Sequence, residues 1–283
     1  MHFPPTARRS LSMRVVLATI LFLVLGLITA GPATTTSASG GDDGERPTIV
    51  LVHGSFADAS GFNAVIQRLQ ALGYNAIAPP NPLRGVPLDT AYIRTFLETI
   101  EGPIVLVAHS YGGFVITNAA SGNPNVKALV YINGFAPAEG ETATDILGNF
   151  DGSMIIPQNL TFRPYPATDP SESGVEATIN ADVFREAFAA DLDRATVAAM
   201  WAMQRPIDVN SLVQASGLPA WASIPSWFVI GTQDNTIPPD AHRFMAERAN
   251  AVRTVEIRAS HVVMMSHPAA VVRMIVEAAR STS

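Results

Sequence analysis

Short apolar runs alternate with amphipathic segments along most of this chain. The runs are rich in β-branched residues, so they predict strands that are buried on both faces. Between them, apolar residues recur every three or four positions, which predicts helices. The predicted strands span residues 48–52, 74–78, 104–108, 126–132, 226–231 and 254–257, and the predicted helices 62–72, 90–100, 114–120, 240–249 and 268–279. This alternation predicts an α/β fold with a mostly parallel central sheet and helices on both faces.

The alternation of predicted strands and helices is interrupted over residues 134–224, which contain many prolines, acidic residues and short helical patterns. No segment there reads as a convincing core strand, and residues 182–203 are the most helical part. A structureless loop of this length is improbable within a compact domain. We therefore expect a mainly helical cap, inserted over one edge of the sheet.

The beginning of the chain has a different composition from the rest. Arg8, Arg9 and Arg14 precede an apolar block at residues 15–28, and small residues follow it. This pattern is typical of a secretory signal. We predict a signal peptide in residues 1–30, a disordered linker in 31–46 and one domain in 47–283, in an exported protein. An uncleaved N-terminal membrane anchor is the alternative, and it would be the only membrane contact.

Charge and cysteine content exclude some kinds of chemistry. The 283 residues have a net charge of −6 and no basic stripe, which argues against a nucleic-acid partner. The chain has no cysteine, so a thiolate nucleophile and a cysteine metal site are excluded.

The apolar run at 104–108 leads directly into His109-Ser110-Tyr111-Gly112-Gly113 and then into a helical pattern. Strand, sharp turn and helix form the context that a nucleophile elbow requires. Gly112 provides the small residue two places after Ser110, and Ala108 stands two places before it, where glycine is more usual. We predict that Ser110 is a nucleophile. The alternative is an ordinary helix N-cap.

Two further reactive residues follow predicted strands. Asp234 comes after the strand at 226–231 and His261 after the strand at 254–257. The carboxyl ends of parallel strands meet at one edge of a sheet, so these side chains are expected to lie near Ser110. Histidine can take the serine proton, and a carboxylate can orient the histidine. The sequence therefore predicts a Ser110–His261–Asp234 triad.

Each triad assignment has an alternative. Asp234 could be a turn residue, and Asp240 is a second candidate for the carboxylate. His267 is a second candidate for the histidine. Asp240 and His267 both stand at predicted helix starts, where structural roles are favoured.

Backbone N–H groups are needed to stabilise a developing oxyanion. We predict that Tyr111, the residue after the nucleophile, supplies one, and that Ser55 supplies the other, with Phe56 as the second choice. His53 and His109 are expected to be structural. For an apolar substrate pocket we predict Trp201 in the cap and Met264 close to His261. No cofactor and no metal is expected.

Several motifs together resemble a known family. They are the segments 53–56, 108–113, 128–137, 231–239 and 259–268. They are similar to those of bacterial pyrethroid-hydrolysing carboxylesterases in the α/β-hydrolase superfamily, which are related to the plant methylesterase and hydroxynitrile lyase group. The resemblance implies an α/β-hydrolase fold with a cap and a serine esterase that works through an acyl-enzyme.

The leading hypothesis is a hydrolase of small to medium hydrophobic carboxylic esters. Hydroxynitrile lyase chemistry is one alternative. The lyases that this chain resembles carry a lysine where it has Val262 and a threonine where it has Gly54, and both differences argue against a lyase. A cofactor-free perhydrolase and a non-catalytic binding module are the others. Epoxide hydrolases and dehalogenases of this fold use an aspartate nucleophile, so Ser110 argues against them. The expected partner is a small hydrophobic ester.

Overall fold

A computed structural model of the protein describes residues 46–166 and 173–281. Its strands are β1 (Thr48–Val52), β2 (Ala76–Ile77), β3 (Ile104–His109), β4 (Val126–Ile132), β5 (Leu160–Pro166), β6 (Ser173–Ile179), β7 (Ile207–Asp208), β8 (Ser226–Gly231) and β9 (Arg253–Ile257). Its α-helices are α1 (Asn63–Ala71), α2 (Val86–Leu97), α3 (Gly112–Ala119), α4 (Ala143–Gly148), α5 (Ala181–Phe188), α6 (Arg194–Met203), α7 (Pro239–Arg248), α8 (Val263–Ser266) and α9 (Pro268–Arg280).

The central sheet contains six parallel strands in the order β2-β1-β3-β4-β8-β9. Helices α2 and α3 pack on each other, and α3 lies against β1, β3 and β4. Helices α1 and α9 form a second group, in which α9 packs on β3, β4 and β8. Because helices cover the sheet, its central strands are largely apolar, and every residue of β3 is buried. The predicted α/β-hydrolase fold is confirmed.

The strand order reverses between β1 and β3, which are neighbours in the sheet. A reversal of this kind opens a crevice beyond the carboxyl ends of the two strands, where α/β proteins bind ligands. The turn after β1 begins at His53, and the turn after β3 contains Ser110. The topology thus brings two predicted site segments to one crevice.

The bounds of the predicted elements lie within two residues of the observed ones, except in helix α2. Strands β1, β4 and β8 have the predicted bounds. Helix α2 begins at Val86, four residues before the expected start, because Pro87 suits a first helical turn and Gly85 adopts a φ of 122° before it. The prolines at 79 and 80 limit β2 to two residues.

The cap contains the expected helices α4, α5 and α6, but it also contains a sheet that the sequence analysis missed. Strands β5, β6 and β7 pair antiparallel in the order β5-β6-β7. Strand β5 is largely exposed and contains Pro164, so it shows no apolar alternation. The mainly helical cap is therefore corrected to a cap of helices and a small sheet.

Residues 1–45 carry the predicted signal peptide and nearly all of the predicted linker, and they lie outside the described residues. Export and the possible anchor stay predictions. Arg46 is described, and its guanidinium donates to the carbonyl of Leu72 at 3.1 Å. Within residues 46–166 and 173–281, no helix combines the length and the hydropathy that a membrane span requires.

Candidate active site

Ser110, Asp234 and His261 all follow strands of the central sheet, namely β3, β8 and β9. The Nδ1 atom of His261 lies 2.7 Å from Oδ2 of Asp234, and both side chains are fully buried. The other ring nitrogen, Nε2, is buried and has no hydrogen-bond partner within the described residues. The imidazole is thus oriented by a carboxylate on one side and free to exchange a proton on the other.

Ser110 occupies a strained turn. Its φ is +55°, a left-handed conformation that typically costs about 1 kcal/mol or more for a residue with a side chain. Backbone bonds hold it there: its N–H donates to the carbonyl of Asn133 at 3.1 Å, and its carbonyl accepts from Phe135 at 3.1 Å. This is the geometry of a nucleophile elbow, in which the turn projects the serine from the strand end.

The turn after β1 packs directly against this elbow, and two glycines permit the approach. A Cβ at Gly54 would lie 2.5 Å from Cβ of Ser110, and a Cβ at Gly112 would lie 2.4 Å from the carbonyl oxygen of Val52. Both distances are shorter than any ordinary contact. Gly54 and Gly112 are therefore required by packing.

The carboxylate of Asp234 has four hydrogen bonds. Its Oδ1 accepts from the N–H groups of Thr236 at 2.8 Å and Ile237 at 3.0 Å. Its Oδ2 faces His261 and also Nε2 of His242, at 3.1 Å. Burial alone would raise the pKa of Asp234, but the charges and hydrogen bonds of His261 and His242 outweigh burial and hold that pKa far below its ordinary value. Asp234 is therefore ionised at neutral pH.

Sequence reasoning missed Asn133, which lies just after β4 with a φ of +41°. Its side-chain oxygen accepts from the N–H of Gly231 at 2.6 Å, and its amide nitrogen donates to the carbonyls of Ser260 at 2.9 Å and His261 at 2.8 Å. The side chain of Asn133 thus joins the end of β8 to the loop of His261, while its backbone carbonyl holds the Ser110 turn. A polar residue ending a buried strand was the only signal in the sequence.

The predicted oxyanion donors differ in their surroundings. The N–H of Phe56 donates to the carbonyl of Arg205 in the cap at 3.1 Å. Within the described residues, no acceptor is paired with the N–H of Ser55 or Tyr111. These two groups are available to an incoming oxygen, whereas Phe56 is already engaged.

Tyr111 is held in place by its side chain. Its hydroxyl donates to Oδ2 of Asp89 at 2.8 Å, and Oδ1 of Asp89 accepts from the N–H of Arg84 at 2.9 Å. Burial raises the pKa of Asp89 above its ordinary value, although these hydrogen bonds oppose the change. Asp89, on helix α2, is a further supporting residue that the sequence did not reveal.

His53 and His109 have structural contacts, in agreement with the prediction. Nε2 of His53 accepts from the N–H of Asn81 at 3.0 Å, so its Nδ1 donates to the carbonyl of Gly54 at 3.0 Å. Nε2 of His109 donates to the carbonyl of His261 at 3.0 Å. Burial lowers the pKa of both rings, and that of His109 falls well below its ordinary value.

The competing candidates lie away from this arrangement. Asp240 is largely exposed and pairs with Arg243 on the same helix at 2.6 Å. Nδ1 of His267 lies 2.9 Å from the hydroxyl oxygen of Ser266. In the described part of the chain, no group of three or more histidine, aspartate or glutamate side chains is placed to hold a metal ion.

A small, partly open pocket lies between the cap and the turns at the sheet edge. It is lined by Phe56, Ala57, Asp58, Ser60, Gly61, Met200, Met203, Gln204, Val262, Met264 and Met265. Phe56 belongs to the turn after β1, and Val262 follows His261. Met264 lines this pocket, and its contact with a substrate stays a prediction.

Trp201 has a different position from the one expected. It lines a separate outer groove, it is 42% exposed, and its indole N–H donates to the carbonyl of Ile179 at 3.3 Å. Successive helical residues point about 100° apart, so Met200 and Met203, one turn apart, face the cavity while Trp201 faces away from it. The assignment of Trp201 to the pocket is corrected to these two methionines.

The fold and this site define a class of protein. The sequence profile of the alpha/beta hydrolase family matches residues 49–274, and the chain belongs to that family.

Individual relatives agree with this assignment. The alpha/beta hydrolase nvfD of Aspergillus novofumigatus is 27% identical over 83% of this chain and 97% of its own length. The carbendazim hydrolyzing esterase of a Nocardioides species is 32% identical over 42% of this chain and 60% of its own length. The crystal structure of polyneuridine aldehyde esterase superposes with a TM-score of 0.71 at 17% identity, covering 82% of this chain and 99% of that one, which shows the shared fold.

The matches also include a pyrethroid hydrolase, plant methylesterases and an alpha-hydroxynitrile lyase. The resemblance stated from the sequence motifs is therefore confirmed. The family and its esterase-like character follow from these comparisons.

Proposed function

We propose that this protein is a serine hydrolase of carboxylic esters, with Ser110 as the nucleophile, His261 as the general base and Asp234 as its orienting carboxylate. The observation that supports this most strongly is the 2.7 Å contact between Nδ1 of His261 and Asp234, which leaves Nε2 without a partner at the sheet edge where the Ser110 elbow lies. The proposal is also supported by relatives that are themselves esterases, namely a carbendazim hydrolyzing esterase and a plant methylesterase.

In the proposed first step, the Oγ of Ser110 attacks the ester carbonyl carbon while its proton passes to Nε2 of His261. The Oγ–C bond forms and the carbonyl oxygen becomes an oxyanion. Collapse of this intermediate breaks the bond to the alcohol oxygen, which takes the proton from His261. Asp234 stabilises the imidazolium form of His261 throughout.

The second step removes the acyl group from Ser110. A water molecule gives a proton to His261 and attacks the acyl carbon, and the acid leaves as Ser110 recovers its proton. In both steps the N–H groups of Ser55 and Tyr111 are proposed to stabilise the oxyanion. One such donor is typically worth about 3 kcal/mol.

The proposed substrate is a small to medium ester with an apolar group. Four methionines line the cavity: Met200, Met203, Met264 and Met265. Methionine adapts to irregular apolar shapes, so the cavity favours apolar groups of several forms. Val262 supports ester hydrolysis over a lyase reaction, since it places an apolar side chain beside His261.

The test is Ser110→Ala, with Ser223→Ala as the matched control. Ser223 is exposed, and its hydroxyl contacts only the carbonyl of Ala220. We expect Ser110→Ala to abolish turnover of a short nitrophenyl ester with an unchanged circular dichroism spectrum, and Ser223→Ala to behave as the wild type. Turnover by the alanine variant would refute the assignment of Ser110.

A fluorophosphonate probe separates an enzyme from an inactive binding module. We expect peptide mapping to find the phosphonyl group on Ser110 of the wild type and no labelling of Ser110→Ala. An unlabelled wild-type protein would contradict a serine hydrolase.

A further inference from the structure

The Oδ2 atom of Asp234 is shared by two imidazoles. It lies 2.7 Å from Nδ1 of His261 and 3.1 Å from Nε2 of His242, in helix α7. We propose that His242 is a positioning residue that holds Asp234 and sets the lower limit of the pH range in which His261 acts as a base. This inference rests on the proposed function.

The atoms fix the direction of the bond. An ionised carboxylate has only acceptors, so Nε2 of His242 must carry a hydrogen and donate it. His242 is 1% exposed and the carboxylate of Asp234 is fully buried, so solvent does not compete for this contact. The other oxygen, Oδ1, is held by two backbone N–H groups, which leaves His242 as the only side chain besides His261 on this carboxylate within the described residues.

The shared oxygen has a chemical consequence. The negative charge on Oδ2 stabilises the imidazolium form of His261, which is the form produced when Ser110 gives up its proton. A second donor on the same oxygen draws on that charge and weakens its interaction with His261. It also fixes the carboxylate rotamer, so Oδ2 remains directed at His261.

The other charged and titratable groups near the rings of His242 and His261 form no hydrogen bond with the carboxylate of Asp234 within the described residues. His109, from β3, has its ring centroid 4.6 Å from that of His261, and burial keeps it neutral. Asp191 hydrogen-bonds the hydroxyl of Ser260, the residue before His261. Helix α7 itself carries four further charged residues, Asp240, Arg243, Glu247 and Arg248. Arg243 pairs with Asp240 and with Glu256 of β9, and Arg248 pairs with Glu141.

Removing the donor should change the pH profile in a defined direction. In His242→Leu, Oδ2 interacts with His261 alone, so the imidazolium form of His261 persists to higher pH. We expect the acidic limb of kcat/KM to move upward by about half a pH unit or more. In His242→Gln, a side-chain N–H replaces the imidazole N–H, and we expect the limb to return toward its wild-type position.

These two variants discriminate against a purely structural role. A cavity or loosened packing would lower kcat/KM at all pH values without moving the limb. An acidic limb that stays in place in His242→Leu, or that moves equally in both variants, would overturn the proposal.

A second measurement does not depend on turnover. In protein labelled with ¹⁵N-histidine, we expect Nε2 of His242 to be protonated at neutral pH. We also expect the proton between His261 and Asp234 to resonate further downfield in Ser110→Ala/His242→Leu than in Ser110→Ala. An unprotonated Nε2 on His242 would overturn the proposal even if ester turnover by Ser110 fails its own test.

Discussion

The sheet edge that carries Ser110, Asp234 and His261 and the cap that covers it are stabilised by different kinds of polar contact. At the sheet edge, buried side chains bond groups far away in the chain, as Asn133 does with Gly231 and His261. In the cap, many polar contacts are solvent-exposed, as where Asp193 caps helix α6 through the N–H groups of residues 195 and 196. A buried contact cannot be replaced by water, whereas an exposed one can. The sheet edge should therefore be sensitive to small changes that the cap tolerates.

Two partly exposed arginine pairs connect these regions. Arg84, between β2 and α2, binds Glu176 of the cap sheet at 3.1 Å. Arg248, at the end of α7, pairs with Glu141 and also donates to the carbonyl of Ala136 at 2.9 Å. The cap is thus attached by charged contacts at its margin, and the predictions that follow test the contrast between the two regions.

The largest contrast is expected between two glycines. A Cβ at Gly113 would lie 2.1 Å from the backbone oxygen of Phe135, which cannot move without disturbing the elbow. We expect Gly113→Ala to lose about 3 kcal/mol or more of unfolding free energy in urea. Gly148 ends helix α4 in the cap, and a Cβ at that position would have no neighbouring atom within 4 Å among the described residues.

Gly148→Ala is therefore the matched control, and we expect it to stay within about 0.5 kcal/mol of the wild type. Equal stability of the two alanine variants would show that the sheet edge is not packed as tightly as described.

A smaller contrast is expected between two asparagines. Asn133→Asp keeps the size of the side chain but sets a carboxyl oxygen against the carbonyls of Ser260 and His261. We expect a loss of about 2 to 3 kcal/mol in stability and of about 100-fold in kcat/KM, because the His261 loop loses its support. Asn180→Asp changes a cap residue whose contact with Gln158 is exposed.

For Asn180→Asp we expect a change of less than about 1 kcal/mol and full activity. Urea denaturation and ester kinetics on both variants provide the measurement. If Asn133→Asp kept wild-type kcat/KM, the role of Asn133 in supporting the triad loops would be disproved.

The third contrast concerns the pH dependence of stability. All six histidines lie outside the cap at residues 134–224, so the histidine contribution to this dependence comes from outside the cap. Burial holds the pKa of His109 well below its ordinary value of 6.5, so the unfolded chain binds a proton that the folded chain does not. This difference in proton binding does not penalise the folded state above pH 6.5. As the pH falls below 6.5 it lowers the free energy of unfolding, because the unfolded chain gains the proton. His109 should therefore contribute to a fall in unfolding free energy between pH 7 and pH 5.

His109→Gln retains an N–H donor for the carbonyl of His261 but does not titrate. We expect the loss of unfolding free energy between pH 7 and pH 5 to be smaller in this variant than in the wild type, with a remaining part from His53. Parallel stability curves for the two proteins would exclude His109 as a source of the pH dependence.

The smallest effect is expected in the cap helix α6. Met200 lines the cavity, whereas Trp201 lines the outer groove. We expect Met200→Ala to raise KM for a long-chain nitrophenyl ester about fivefold, because apolar contact is lost. Trp201→Ala should change KM less than about twofold. A larger effect at Trp201 would return that residue to the substrate pocket.

The sequence by itself determined the sheet and the reactive residues at its edge. The runs that became β1, β4 and β8 are largely apolar, with Lys127 of β4 as an exposed exception, as expected for strands buried on both faces. Ser110, Asp234 and His261 were identifiable because each follows a predicted strand, and in this fold strand ends meet at one edge. Cap strand β5 was missed because it is largely exposed and has no apolar pattern to detect. Strand β6 does alternate, with Val175, Ala177 and Ile179 at every second position, but this short signal was overlooked among the helical patterns of the cap.

Only the tertiary structure assigned the supporting residues. Asn133, Asp89 and His242 are each far in the chain from at least one partner, and nothing in their local sequence distinguishes them from ordinary polar residues. The same holds for the choice of Met200 and Met203 over Trp201, which depends on the rotation of helix α6 against the sheet edge. The local sequence pattern determines which helices and strands form and where they end. Long-range packing determines which buried polar groups form hydrogen bonds, because those bonds depend on the distances between loops that are far apart in the chain.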